Sequence, residues 1–154
     1  MTCMRLSYLV VCLLFGLSSG IATGNAQEEA IKNERKKFEG TWRVASLEVN
    51  GEKSHPEDLK NIRVVNGNDG TWSIRVNGEE VTKGTSQIDP TKKIKTIDFT
   101  PTVGDDKGKQ FRGIYELGDN TRKLCFATAE KGRPTDFSAN PGSDRWLVQF
   151  ERER

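Results

Sequence analysis

The sequence predicts an all-β fold, an eight-stranded antiparallel up-and-down barrel with a short N-terminal helical leader. From Phe38 onward, apolar and polar residues alternate with the period of two that is typical of half-buried strands. Short clusters of Gly, Asn, Asp and Lys separate these segments, and such turns join antiparallel neighbours. Each strand offers one apolar face, and closing the sheet buries those faces and removes exposed edges.

Eight segments carry this alternation: TWRVASLEV, IRVV, TWSIRV, EVTKGTSQI, KTIDFTP, FRGIYEL, KLCFATA and RWLVQFERE. In the third of them, Trp72, Ile74 and Val76 share the apolar face. The Asn77-Gly78 pair that follows predicts a two-residue type I′ hairpin, because both residues tolerate positive φ. A two-sheet sandwich would use the same alternation. The steady succession of hairpin turns favours the barrel.

Residues 1–26 have the order of a secretory signal peptide. Arg5 precedes a run of apolar and small residues from Leu6 to Leu17, and further small residues follow. The run is shorter than the roughly 20 residues of a membrane span. Cleavage after Ala26 fits best, cleavage after Ala22 is the second choice, and an uncleaved anchor is the alternative. We therefore expect an exported protein, periplasmic or extracellular, with no membrane span after cleavage.

The rest of the chain predicts a leader over residues 27–37 and one barrel domain over residues 38–154. The leader sequence EEAIKNERKKF places acids first and bases last, which suits a helix dipole, but has few apolar residues. We expect it to be short and partly exposed. Removal of Arg5 leaves 23 of the 24 Lys and Arg residues, evenly mixed with 22 Asp and Glu. Such a surface argues against a nucleic-acid partner, which requires a concentrated basic face.

The residue inventory gives no indication of catalysis. After the signal peptide Cys125 is the only cysteine, and its apolar flanks predict a packed thiol. His55 is the only histidine and lies in a predicted loop beside a proline. No Cys/His cluster has zinc spacing, and no nucleophile elbow or phosphate-binding loop occurs. The sequence thus predicts no catalytic residues, no metal and no cofactor.

Two connections are longer than the others. In residues 50–61, Ser54 and Glu57 have capping-box spacing and Pro56 suits a first helical turn, so a small helix is expected. Residues 130–144 are irregular and rich in Gly and Pro. Long ordered loops often carry binding sites, although a plain connection is an equal alternative.

The first strand carries a recognisable motif. Gly40-Thr41-Trp42, placed at the start of an eight-strand meander, resembles the Gly-x-Trp motif of the lipocalin superfamily. The resemblance implies that Trp42 closes the bottom of the barrel, that Gly40 allows a close backbone approach, and that an Arg of the last strand packs across the Trp. Arg152 is the expected partner, because the last strand of a closed meander lies beside the first.

A closer resemblance covers about Phe38 to Arg154. The segments GTWRVASLEVNG, IDPTKKIKTIDFT, GIYEL, KLCFA and RPTDFSANPGS resemble a family of small exported lipocalin-like domains of unknown function from planctomycete bacteria. This resemblance implies a barrel and an exported setting. It implies no activity and transfers no site residue.

Two classes of function remain. The first is a non-catalytic barrel that binds a small apolar or amphipathic ligand. The second is a protein-interaction or inhibitor-type barrel that engages another exported protein through its loops. An eight-strand barrel is just wide enough to be filled by side chains or to hold one small ligand.

We predict two groups of candidate binding residues. The two long connections are expected to meet across one opening of the barrel, opposite Trp42, because both follow strands that end there. The predicted mouth residues are His55, Leu59, Arg133 and Phe137. The predicted lumen residues are Trp72, Ile74, Phe111, Tyr115 and Phe126.

Overall fold

A computed structural model describes residues 21–154 of the chain. The predicted signal peptide therefore lies largely outside the described residues. The helices are α1 (Ile21–Phe38) and α2 (Pro56–Leu59), with one turn of 3-10 helix at Ala129–Lys131. The strands are β1 (Gly40–Val49), β2 (Glu52–Lys53), β3 (Ile62–Asn66), β4 (Thr71–Val76), β5 (Glu79–Asp89), β6 (Thr96–Pro101), β7 (Phe111–Leu117), β8 (Thr121–Thr128) and β9 (Trp146–Arg152). None of the helices in residues 21–154 combines the length and the apolar character needed to cross a membrane.

Eight of the strands form a closed antiparallel barrel. The order is β1-β3-β4-β5-β6-β7-β8-β9, and β9 pairs back onto β1 to close it. Every neighbour in this order is also the neighbour in the chain, apart from β2, which pairs only with the end of β1. The predicted up-and-down barrel is thus confirmed, and the two-sheet sandwich is wrong because the first and last strands pair directly.

The closing pair sets the two ends of the barrel. Trp42 lies opposite Arg152, and Val49 lies opposite Trp146. We call the end at Trp42 and Arg152 the lower end, and the end at Val49 and Trp146 the upper end. The predicted Asn77-Gly78 hairpin is confirmed at the upper end, where both residues have positive φ, 54° and 85°.

Helix α1 is longer and better packed than the predicted leader. Its last turn is basic, which suits the negative end of the helix dipole. Ile31, Glu34 and Phe38 recur at helical spacing, so they share one face. Glu34 and Phe38 are buried, and Ile31 and Phe38 belong to a core cluster with Tyr115. The sequence suggested an exposed leader because this face contains only two apolar residues in three turns.

The small helix predicted in the first long connection is confirmed as α2, but its capping box is wrong. His55 is the N-cap residue and makes no side-chain capping bond, and Pro56 occupies the first turn. Glu57 instead forms an exposed ion pair with Lys60. A one-turn helix that ends at the buried Leu59 depends more on packing than on a cap.

The second long connection covers the outer wall of the barrel rather than its opening. The outward residues Ile114, Cys125 and Ala127 are buried, as are Pro134 and Ala139 of the connection itself. The Cys125 thiol donates a hydrogen bond to the carbonyl of Ser138 (3.4 Å). Apolar residues on the outer face of β7 and β8 need cover from water, and this segment supplies it.

The barrel lumen as a candidate ligand site

The interior of the barrel contains a cavity of about 310 Å³. All eight barrel strands contribute to its wall, and Phe38 at the end of α1 contributes from below. The lining is apolar except for Asn66, Ser86, Tyr115 and Arg122. This volume lies at the small end of the range for ligand pockets, roughly 300–1,000 Å³.

Most of the predicted lumen residues lie on this wall. Trp72, Ile74, Tyr115 and Phe126 line the cavity. Phe111 occupies an inward position on β7 but does not line the cavity, because neighbouring aromatic rings cover it. Whether these residues bind a ligand stays a prediction.

Four aromatic rings occupy the upper part of the interior. Phe99 stacks on Phe111 with ring centroids 5.1 Å apart, and Phe126 stacks on Trp146 at 5.3 Å. Edge-to-face contacts join the two pairs. Such pairs favour fixed ring orientations. The upper wall of the cavity is therefore broad, apolar and well packed.

Trp42 occupies the lower end and is completely buried. Its Nε1 donates a hydrogen bond to the carbonyl of Phe38 (2.8 Å), which ties the barrel to the end of α1. The guanidinium of Arg152 lies over the indole ring, 4.2 Å from its centre. The contact expected between Trp42 and Arg152 is thus present.

Arg152 also binds three backbone carbonyls at the lower end. Its Nη1 and Nη2 donate to the carbonyls of Glu39 (2.7 Å) and Lys37 (2.5 Å), and its Nε donates to the carbonyl of Asp119 (3.1 Å). Gly40 leaves room for this side chain: its φ is +117°, and a Cβ there would stand 3.1 Å from Nη1. Glycine is needed at this position for both reasons.

A buried polar group links α1 to the cavity wall. Tyr115 donates a hydrogen bond from its hydroxyl to Glu34 (3.2 Å), and Lys95 forms a 2.6 Å ion pair with the same oxygen. Burial and the Glu34 carboxylate together raise the pKa of Tyr115 well above its usual value. The Tyr115 hydroxyl therefore stays protonated, and it donates the hydrogen bond that links the barrel to Glu34 of α1.

Arg122 is the charged residue of the cavity wall, and sequence analysis did not identify it. Its guanidinium lies 4.1 Å from the centre of the Phe150 ring, 4.8 Å from Trp42 and 5.4 Å from Phe38. Its Nη1 donates to the Asn66 side chain (2.8 Å). Burial, assisted by the charge of Arg152, lowers the pKa of Arg122 to about 9. The side chain is 5% exposed.

A signal for Arg122 was present in the sequence. Residues 122, 124 and 126 of β8 alternate onto one face, and Leu124 and Phe126 line the cavity. The same alternation places Arg122 inward, below the two apolar residues. The predicted strand KLCFATA begins at Lys123, so Arg122 fell outside it.

The predicted mouth residues do not come together. His55 is exposed, whereas Leu59 is buried in the core cluster that contains Val44 and Val148. Arg133 lies on the outer wall, where it donates to the carbonyl of Gly113 (2.7 Å). The four residues lie apart because the part of the second long connection that carries Arg133 and Phe137 leaves the upper end and crosses the outer wall.

Phe137 lies on the same outer wall as Arg133. The ammonium of Lys123 lies over its ring in a cation–π contact, 5.3 Å from the ring centre. The two long connections do touch at the upper end, as expected, but through other residues: the backbone N–H of Asp144 donates to the Asn50 side chain (3.1 Å), and a Cβ on Gly51 would collide with Pro141. A binding role for the four predicted mouth residues stays a prediction, now without a shared site.

Comparison of the chain with protein-family models, with curated proteins and with solved structures finds no match. Within residues 21–154, no three His, Cys, Asp or Glu side chains are grouped so that they could hold a metal ion.

Proposed function

We propose that the protein is an exported, non-catalytic binder that holds a small apolar or amphipathic ligand in the barrel lumen. The observation that carries the proposal is the cavity of about 310 Å³ with its largely apolar wall. Concave apolar sites with a few placed polar groups are typical of small-molecule binding.

The exposure of the wall supports binding in the lumen. Inward residues such as Val64, Ile74 and Leu124 are only partly buried although they point into the barrel. Their remaining exposed surface borders the cavity, so a ligand that enters removes apolar area from water, at about 25 cal/mol per Å². Export accords with the signal-like order of residues 1–26.

Two single substitutions on β3 test the proposal. Val64 lines the cavity, and its neighbour Val65 does not. Val64→Phe should fill part of the cavity and weaken binding of N-phenyl-1-naphthylamine, a neutral apolar fluorescent probe. Val65→Phe adds the same volume outside the cavity and should leave binding unchanged. Circular dichroism checks that both variants keep the strand content of the wild-type protein.

The opposite result would favour the alternative function. Probe binding that is absent in the wild-type protein, or equal in both variants, would contradict a ligand in the lumen. An interaction or inhibitor role through the loops would then be tested by recovering a partner exported by the same cell. Mass spectrometry under native conditions should show a small bound molecule if the lumen proposal is correct.

A further inference from the structure

We propose that the lumen binds a single-chain carboxylate, with its acidic head group at Arg122 and its apolar chain toward the aromatic upper end. The inference rests on the proposed function, since it names the class of ligand for the same cavity. It is carried by a buried guanidinium that has no carboxylate partner, and whose Nε has no hydrogen-bond acceptor, in the described residues.

The position of Arg122 gives the head-group site. It is the second residue of β8 and lies opposite Phe150 of β9. It therefore belongs to the lower end of the cavity. Phe126, four residues further, lies about 13 Å along the same strand toward the upper end, at 3.3 Å per residue. A single ligand can thus contact Arg122 at the lower end and the aromatic rings at the upper end at the same time.

The hydrogen bonding of Arg122 is incomplete. Nη1 donates to Asn66, but Nε is buried and has no hydrogen-bond acceptor among residues 21–154. No carboxylate in the same residues lies within 4.0 Å of the guanidinium. The buried carboxylate of Glu34 is already engaged by Lys95 and Tyr115. Buried charges are normally paired, so this one indicates an anionic ligand.

The surrounding rings compensate for the charge only in part. Phe38, Trp42 and Phe150 offer cation–π contacts, which stabilise a guanidinium electrostatically. Ring faces give no in-plane acceptor to an N–H. A carboxylate does, because its two oxygens match the planar fork of a guanidinium.

A second unsatisfied donor faces the cavity from the opposite side of the barrel, on β4. Trp72 Nε1 is buried and has no acceptor within the described part of the chain. Trp72 is the direct cross-strand neighbour of Asn66, the residue that holds Arg122. Two unpaired donors, both on residues that line the cavity, fit a ligand that carries hydrogen-bond acceptors in its head group. They do not fit a hydrocarbon.

The charges at the lower end of the cavity favour a ligand with an acidic head group over one with a basic head group. Arg122 and Arg152 both face the Trp42 ring, and Arg152 is near enough to lower the pKa of Arg122. At neutral pH the Arg122 guanidinium remains charged. An ammonium head group would meet repulsion there, and an alcohol would gain no charge-assisted hydrogen bond.

The test compares three ligands of equal chain length by isothermal titration calorimetry, using the full chain as the cell processes it. Decanoate, decanol and decylamine differ only in the head group. We expect decanoate to bind about 10- to 100-fold more tightly than decanol, the range for a hydrogen bond to a charged group. Decylamine should bind more weakly than decanol.

Three variants assign the preference to Arg122. Arg122→Met should bind decanoate and decanol about equally, and Arg122→Lys should keep a reduced preference for decanoate. Arg112→Met, at an exposed arginine on the outside of β7, is the matched control and should behave as the wild-type protein. If Arg122→Met does not fold, the wild-type comparison and Arg122→Lys still decide the question.

The outcomes separate this inference from the proposed function. Equal binding of decanoate and decanol by the wild-type protein would overturn the inference, with water then satisfying Arg122, and would leave a lumen binder in place. A preference that survives in Arg122→Met would place the head group elsewhere and overturn it too. If neither decanoate, nor decanol, nor the neutral fluorescent probe binds, the proposed function itself is overturned.

Discussion

Replacing Trp42 by alanine should remove the closure of the lower end. The side chain is 0% exposed and its Nε1 is hydrogen-bonded to the carbonyl of Phe38. The guanidinium groups of Arg122 and Arg152 both lie over its ring. The substitution therefore opens a cavity under the barrel, frees a buried carbonyl at the end of α1, and leaves two cations without their aromatic partner.

The expected loss follows from these contacts. Truncating a buried Trp or Phe costs about 3–5 kcal/mol through lost burial and the remaining cavity. A buried acceptor left without its donor adds about 1–3 kcal/mol. We expect the free energy of unfolding to fall by about 4–6 kcal/mol, since the two effects overlap and are not fully additive. Trp42→Phe keeps an aromatic ring but loses the donor, and should cost about 1–3 kcal/mol.

Urea denaturation followed by circular dichroism measures these changes, with linear extrapolation to water. Trp146→Ala is the control of the same residue type: its ring is only half-buried at the upper wall, so the loss should be smaller. A loss below about 1 kcal/mol for Trp42→Ala, or a larger loss for Trp146→Ala, would refute the argument that Trp42 closes the barrel.

The remaining predictions concern pH, thiol chemistry and export. The raised pKa of Tyr115 means that the folded state keeps a proton the unfolded chain loses above pH 10.0. Tyr115 should therefore make the free energy of unfolding fall as pH rises past that point, by up to about 1.4 kcal/mol per pH unit. The lowered pKa of Arg122 acts in the opposite direction over this range, so the test is the difference in slope between the wild-type protein and Tyr115→Phe; identical slopes would contradict the buried tyrosine. Burial raises the pKa of the Cys125 thiol, so a thiol reagent should react slowly with native protein and fast in urea, and equal rates would count against its burial. N-terminal sequencing of the exported protein should begin at Gln27, whereas a chain that begins at Met1 would contradict cleavage.

The sequence alone determined the barrel, the hairpin at Asn77-Gly78 and the position of Trp42 against Arg152. These features depend on local information: alternation fixes which face of a strand is buried, and turn residues fix which strands are neighbours. In a meander the neighbours in the chain are neighbours in space. Local patterns therefore extend to the whole sheet, and four of the five predicted lumen residues line the cavity.

Only the tertiary structure decided where charged and irregular segments lie. Nothing local distinguishes Arg122, buried on the cavity wall, from an exposed arginine such as Arg112. The burial of Arg122 depends on rings contributed by α1, β1 and β9, which are distant in the chain. The path of the second long connection over the outer wall likewise depends on apolar residues that β7 and β8 leave uncovered. Side-chain alternation is a property of one strand, whereas the packing partners of a charge or a loop are a property of the assembled barrel.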